Sequence, residues 1–236
     1  MLPDVPPDIR PDPAQLPLGE SEGAPLVPAG DDHIAAALET GETALARRDL
    51  VAAAAAFRAV LAEAPGHVRA RLRLAIALDR SGDVAAAMAE LDRALAQHGD
   101  NVTLLVGRAA LASSHLNYTQ AETDLKRALK LTDSNAEVFL QIGILDCRRA
   151  RWREAIEPLR RATELDPTLV AAYYHLGEAY NHVDRLDDAR LAYQRAAELE
   201  PQNWRAFQGL GVVYDRMGRP VEATAAYKRS REAHKA

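Results

Sequence analysis

The sequence predicts an all-α protein: an array of six helix pairs, each 34 residues long, preceded by a proline-rich tail. Three observations carry this. A self-comparison at a shift of 34 aligns Ala53, Ala87, Ala121, Ala155, Ala189 and Ala223 without insertion or deletion. Regular repeats of this length mark stacked helical units. Alanine, the strongest helix former, supplies 47 of 236 residues, and only 5% are aromatic. Helix punctuation falls at the unit breaks: Ala64-Pro65-Gly66, His98-Gly99-Asp100, Asp133-Ser134-Asn135, Asp166-Pro167 and Glu200-Pro201.

Residues 1–33 form the tail. Eight prolines between Pro3 and Pro28 remove donors and fix φ, so neither helix nor sheet propagates through them. The segment holds seven acids and one base, a charge of -6. It is expected to be disordered or extended, and to act as a docking arm along a partner or along the array's own basic edge. The remaining 203 residues carry 28 bases and 27 acids. A body so close to neutral lacks the positive excess of a nucleic-acid binder, and no nucleic acid is expected.

The units run 34–67, 68–101, 102–135, 136–169, 170–203 and 204–236. Each reads as a helix A followed by an antiparallel helix B. Twelve positions before each aligned alanine stand Gly41, Ala75, Ala109, Gly143, Gly177 and Gly211, all small. Four positions after it stand Phe57, Leu91, Leu125, Leu159, Tyr193 and Tyr227. Helix axes approach to about 8–10 Å only where side chains are small, so the small column and the alanine column should form the A–B contact. The large column should fill the space against the next unit. Ser134, with Glu137 three residues later, reads as a capping box opening the fourth unit. Tyr180, Tyr193, Tyr214 and Tyr227 fall in packing columns.

No apolar run approaches the roughly 18 residues of a membrane span. The opening residues lack a basic stretch followed by an apolar one, so no secretory signal is read. The single cysteine, Cys147, cannot close an internal disulfide, and a reducing, cytoplasmic setting is expected.

The columns resemble the tetratricopeptide repeat, Leu-Gly-x2-Tyr, then Ala-x3-Phe or Tyr, then Pro. Unit five follows it most fully, with Leu176-Gly177, Tyr180, Ala189, Tyr193 and Pro201. Unit six has Leu210-Gly211, Tyr214, Ala223 and Tyr227. Units one to three depart from it: Thr40 and Arg108 replace the leucine, and Ala44, Leu78 and Ala112 replace the tyrosine. The resemblance covers residues 34–236. It implies a right-handed α-solenoid whose A helices line a groove that takes an extended peptide or a partner helix. It implies a non-enzymatic interaction scaffold or assembly subunit binding a partner polypeptide. The alternative is a chaperone-like factor for secretion, pilus or membrane-complex biogenesis.

The groove positions that the resemblance implies include Arg69, Arg73 and Arg80 in unit two, and Gln141 and Arg148 in unit four. Unit five supplies Tyr174, His175, Glu178, Asn181 and His182, and unit six Arg205 and Gln208. Three arginines on one face predict an acidic ligand at unit two. Unit three, with Gly107, Ala110, Ser113 and Ser114, is expected to admit a peptide backbone closely. The carboxylate clamp of heat-shock co-chaperones is rejected, because Glu39 stands where an asparagine is needed.

Catalytic and metal chemistry find little support. His175, Glu178 and His182 share one helix face, but a fourth ligand is not evident. Gly209-x-Gly211 lies inside a helix and lacks a strand before it. Arg148 and Arg149 beside Cys147 could lower its pKa, but no base stands with it. The run from Arg148 to Arg161, with Trp152 within it, reads as a solvated edge. No cofactor and no metal are expected.

Overall fold

The computed structural model describes residues 31–235, and the tail's expected conformation and docking lie outside them. Among the described residues there are twelve helices and no strand. The first helices of the six repeats are α1 (Asp31–Ala46), α3 (Val68–Arg80), α5 (Val102–Ser114), α7 (Ala136–Arg148), α9 (Val170–His182) and α11 (Trp204–Arg216). The second helices are α2 (Leu50–Glu63), α4 (Val84–His98), α6 (Tyr118–Leu131), α8 (Trp152–Leu165), α10 (Leu186–Leu199) and α12 (Pro220–Ala233). From α3 onward every first helix begins at the residue where its sequence unit begins. α1 begins earlier, at Asp31, so Asp31, Asp32 and His33 belong to the first helix rather than to the tail. The chain divides into two compact units between Thr132 and Asp133, each holding three helix pairs.

One turn design joins the two helices of every repeat. Arg48, Gly82, Leu116, Ala150, Asp184 and Gly218 all have φ between 55° and 90°, at exact intervals of 34. In each case the next residue's N–H bonds the carbonyl five positions back, as from Asp83 to Leu78 and from Arg185 to Tyr180, both at 2.9 Å. A left-handed residue closing such a bond satisfies carbonyls left over at a helix end. Glycine takes that φ without strain, and four of the six residues here are not glycine.

The residue after the left-handed one starts the second helix, and its chemistry differs between the units. In the first unit Asp49, Asp83 and Asn117 cap α2, α4 and α6, their side chains accepting from Ala52, Ala86 and Gln120 N–H. In the second unit Arg151, Arg185 and Arg219 stand there and make no cap bond. Arg151 instead pairs with Asp146, while Arg185 and Arg219 lie 4.4 and 5.1 Å over the rings of Tyr180 and Tyr214. Where the first helix carries a tyrosine or an acid five residues earlier, an arginine uses it. Where alanine or leucine stands there, an acid or amide caps the helix. The opening of α7 corrects the expected capping box: Asn135 is the cap, its Oδ1 accepting from Glu137 and Val138 N–H.

The aligned alanines, Ala53, Ala87, Ala121, Ala155 and Ala189, are fully buried, and Ala223 nearly so. The small column has a more specific role than expected. A methyl group added at Gly41, Gly143, Gly177 or Gly211 would fall within 2.3–2.8 Å of Phe57, Leu159, Tyr193 or Tyr227 respectively. Each glycine therefore makes room for the large residue of its own second helix. Tyr193 also lies against Gly209 of the following repeat, so this member of the large column serves both contacts.

In the first unit an ion pair replaces the apolar contact made elsewhere by leucine. Arg108 bonds Asp124 through Nε (2.8 Å) and Nη2 (2.6 Å), and Asp92 through Nη1 (2.6 Å). Asp124 is fully buried and also accepts from Gln120 Nε2 at 3.1 Å. The two carboxylates raise the guanidinium's pKa. A charge so enclosed is tolerated only when both partners are present and hydrogen-bonded.

Candidate functional site

The first helices carry polar residues on the face turned away from the helix B contact, and each unit presents such a face. In the first unit α1, α3 and α5 are tied across it. Arg69 Nη2 and Arg73 Nε meet the same oxygen, Glu42 Oε1, at 3.1 and 2.8 Å. Asp79 Oδ1 lies 2.6 Å from His115 Nε2. Arg80 Nη1 reaches the Leu45 carbonyl at 3.5 Å. The three arginines expected to form an open basic face are thus unequal. Arg69 is exposed, Arg80 is half-buried and Arg73 is buried. Desolvation, together with Arg69 and Arg80, holds the Arg73 pKa below its ordinary value against the pull of Glu42.

The expected close approach at unit three is closed. A methyl group at Gly107 would sit 2.3 Å from Leu72 Cδ2, so the leucine of the preceding repeat already fills that space. Val106, Ala110 and Ser113 are buried beside it.

In the second unit the face centres on α9. Glu178 accepts from the Tyr174 hydroxyl through Oε1 (2.9 Å), and its Oε2 lies 2.7 Å from His175 Nδ1. Solvent reaches 31% of the Glu178 side chain, yet desolvation is the largest single effect on its carboxyl. The carboxylate is open to solvent on one side and packed against protein on the others. The hydrogen bond and charge of His175, the Tyr174 hydroxyl and His182 together outweigh the desolvation, and the pKa is lowered. Glu178 is a fixed anion.

Its neighbours are ordered too. Asn181 accepts from Arg216 Nη1 at 2.6 Å, and Arg216 also pairs with Asp184 at 2.8 Å. His182 stacks on Trp152 with ring centroids 3.7 Å apart and planes 5° from parallel. Gln141 is buried and donates from Nε2 to Glu137 Oε1 at 2.9 Å. Burial raises the Glu137 pKa to about 7 despite that bond. Arg205 lies over the Trp204 ring at 5.3 Å, and Gln208 is exposed. Arg148 is half-buried and engaged.

The chemistry weighed from the sequence takes definite form. Cys147 is buried, and burial with Glu178 and Asp146 pushes its thiol pKa up, outweighing Arg148. It is a packing residue, not an activated thiol. Gly209 and Gly211 lie within α11 and make room for the rings of Tyr193 and Tyr227. Among the described residues no three His, Cys, Asp or Glu side chains are placed to hold a metal ion. The arginine run is largely paired, Arg151 with Asp146, Arg160 with Glu157 and Arg161 with Glu164. No helix among the described residues is long and apolar enough to cross a membrane.

Sequence reasoning missed Glu42 as the partner of Arg69 and Arg73. It also missed the Trp152–His182 stack and the desolvation of Glu137 beside Gln141. The first two contacts join residues 27 to 31 positions apart, close to one repeat, and reading the columns in pairs could have suggested them.

Comparison with known proteins agrees with the repeat reading. Three models described as tetratricopeptide or TPR repeats match residues 44–109, 147–181 and 183–235, together more than half of the chain. No curated protein matches the chain. Among solved structures, MamA is 25% identical over 69% of this chain and 95% of its own, with a TM-score of 0.59. A chain of the APC/C hetero-tetramer Cut9-Hcn1 is 16% identical, with a TM-score of 0.76 over 87% of this chain and 41% of its own. YrrB, a TPR protein with an unusual peptide-binding site, is 22% identical, with a TM-score of 0.54 over 76% of this chain and 93% of its own. The last two likenesses concern the fold alone. The repeat period, the helix pairs and the family models agree: this chain belongs to the tetratricopeptide repeat family.

Proposed function

We propose that the chain is a non-enzymatic scaffold or assembly subunit that holds a partner polypeptide on the exposed faces of its first helices. The observation that carries this is the ordering of polar groups there. On α9, Tyr174, His175 and Glu178 hold one another in place while the carboxylate stays open to solvent. Polar groups fixed in advance lower the entropic cost of binding. The apolar residues of the same helices, such as Leu176 and Ala179, are spent on the core. What remains outside is suited to hydrogen bonding with an extended peptide or a partner helix. A cytoplasmic setting and a role in complex assembly belong to the same proposal.

Affinity capture from the native host, followed by titration calorimetry with the captured partner, tests it. Glu178→Gln should weaken binding about 10-fold, the scale of a hydrogen bond to a charged group. An unchanged affinity for both Glu178→Gln and Gln208→Ala would refute this use of the face.

A further inference from the structure

The last helix pair stands apart in charge. Residues 204–236 hold seven bases and three acids, whereas residues 170–203 hold three bases and six acids. Much of the excess lies at one edge, where the start of α11 meets the end of α12. Ser230 Oγ donates to the Trp204 carbonyl there (2.9 Å), and the His234 ring stands edge-on to Trp204 with centroids 4.9 Å apart. Arg205 lies over the Trp204 ring, and Arg229 lies 5.0 Å over the Phe207 ring. Trp204 and Phe207 are one turn apart on α11, so the two stacked guanidiniums share this edge.

The acids of the region are already committed. Glu198 pairs with Arg195 (3.1 Å), and Glu200 accepts from Asn203 Nδ2 (2.7 Å). Glu222 pairs with Arg219, and Asp215 accepts from the Tyr227 hydroxyl. Glu232, the single acid that follows Glu222, lies 3.9 Å from Lys228. Among the described residues Arg205, Arg229, Arg231 and Lys235 make no ion pair. With the end of α10 included, Arg195, Arg205, Lys228, Arg229, Arg231 and Lys235 stand against Glu198, Glu200 and Glu232. The edge keeps a positive excess after every nearby acid is counted.

We propose that this edge binds an acidic segment of a partner polypeptide, whose carboxylates seat on Arg205 and Arg229. The inference rests on the reading of the chain as the holder of a partner polypeptide, and adds a second contact with its chemistry. A guanidinium is planar, so one face can lie on a ring while its N–H edge makes two parallel bonds to a carboxylate. Stacking fixes it beforehand and lowers the entropy lost on binding. Arg229 is exposed and Arg205 half-buried, so solvent reaches both. Phe207 packs against the core, and Trp204 is met by Arg205 and His234, so neither ring is a free platform for a nucleobase. A body close to neutral is also poorly suited to a long phosphate backbone.

Fluorescein-labelled hexaglutamate, titrated with the full chain at low salt and followed by anisotropy, tests this. Binding should weaken about 10-fold in Arg205→Gln/Arg229→Gln, the scale of a hydrogen bond to a charged group. It should hold in Arg58→Gln/Arg153→Gln, which removes the same charge from exposed positions outside the edge. Arg205→Lys/Arg229→Lys keeps the charge but not the planar fork, and should lose most of the affinity too. In Trp152→Phe, which leaves Trp204 as the one tryptophan, saturating hexaglutamate should shift the emission; this readout keeps both arginines in place. Absent binding, an equal loss in the two glutamine pairs, full affinity in the lysine pair or an unmoved Trp204 emission each overturns the proposal. So does tighter binding of an oligothymidylate of equal charge, which would assign the edge to phosphate. If the partner captured above loses affinity in Glu178→Gln but not in Arg205→Gln/Arg229→Gln, the docking reading stands and this inference falls. If neither of these changes nor Gln208→Ala moves it, both fall.

Discussion

Removing the buried acid of the Arg108–Asp124 pair should be the most damaging single polar change in the first unit. Asp124 accepts three hydrogen bonds, two from Arg108 and one from Gln120, in a place solvent does not reach. Asp124→Ala leaves the Arg108 guanidinium, whose side chain is 13% exposed, with Asp92 alone. Asp92 is 57% exposed, so that pair offsets at most about 1 kcal/mol. Breaking a buried pair from one side costs about 3–5 kcal/mol. Arg108→Leu should cost a comparable amount, because Asp124 is then buried with Gln120 as its one remaining partner. The double change Arg108→Leu/Asp124→Ala should recover most of the loss, since it restores the leucine of the repeat pattern and strands no charge. Urea titration followed at 222 nm measures all three variants. Trp152 and Trp204, the two tryptophans, both lie in the second unit, so their fluorescence reports that unit separately. The ellipticity transition should move to lower urea in both single variants. Single variants within about 0.5 kcal/mol of the parent, or a double variant as unstable as the sum of the singles, would refute the reasoning.

Three further outcomes follow from the same structure. Leu116 holds φ at 62° with 72% exposure, so Leu116→Gly should stabilise by about 0.5–1 kcal/mol, whereas Gly82→Ala at φ 90° should destabilise, both read from the urea midpoint. Gly177→Ala sets a methyl group 2.8 Å from the Tyr193 ring and should cost about 1–3 kcal/mol; an unchanged melting temperature would contradict the packing described for the small column. Glu137 is raised in the folded chain to about 7, so folding takes up protons there. That contribution is fully present below the unfolded carboxyl pKa and is lost as pH rises through about 7. Glu137→Gln should therefore flatten the fall in stability across that window, and a pH–stability curve parallel to the parent's would contradict it.

The fold was legible because the repeat has exact length. Five first helices start at the residues where a 34-residue period places them, and the glycine and alanine columns sit at buried contacts. Legibility ended where a residue's role depends on backbone angle or on a partner one repeat away. Nothing in the side chains of Arg48, Leu116, Ala150 and Asp184 announces a positive φ, although Gly82 and Gly218 share their column. Ser134 fits a capping rule by type, but Asn135 has the position from which an oxygen reaches the free N–H groups. Arg108 looked like decay of the leucine pattern, because its match to Asp124 joins two different helices. The basic face of α3 was read from the residues of that helix alone, and Glu42 on α1 changes its balance. On α9 the sequence showed which residues share a face, while the bonds that fix Glu178 needed side-chain positions.

The central claim is that a partner polypeptide lies on the exposed faces of the first helices. Site-specific photo-cross-linking tests it most directly, with the reactive residue placed at Gln208 on α11 or at Leu191 on α10, both exposed positions of the second unit. The account predicts an adduct with the same polypeptide from Gln208 and from Glu39 on α1, and none from Leu191. Adducts from Leu191 with Gln208 and Glu39 silent would place the partner on the second helices and contradict it.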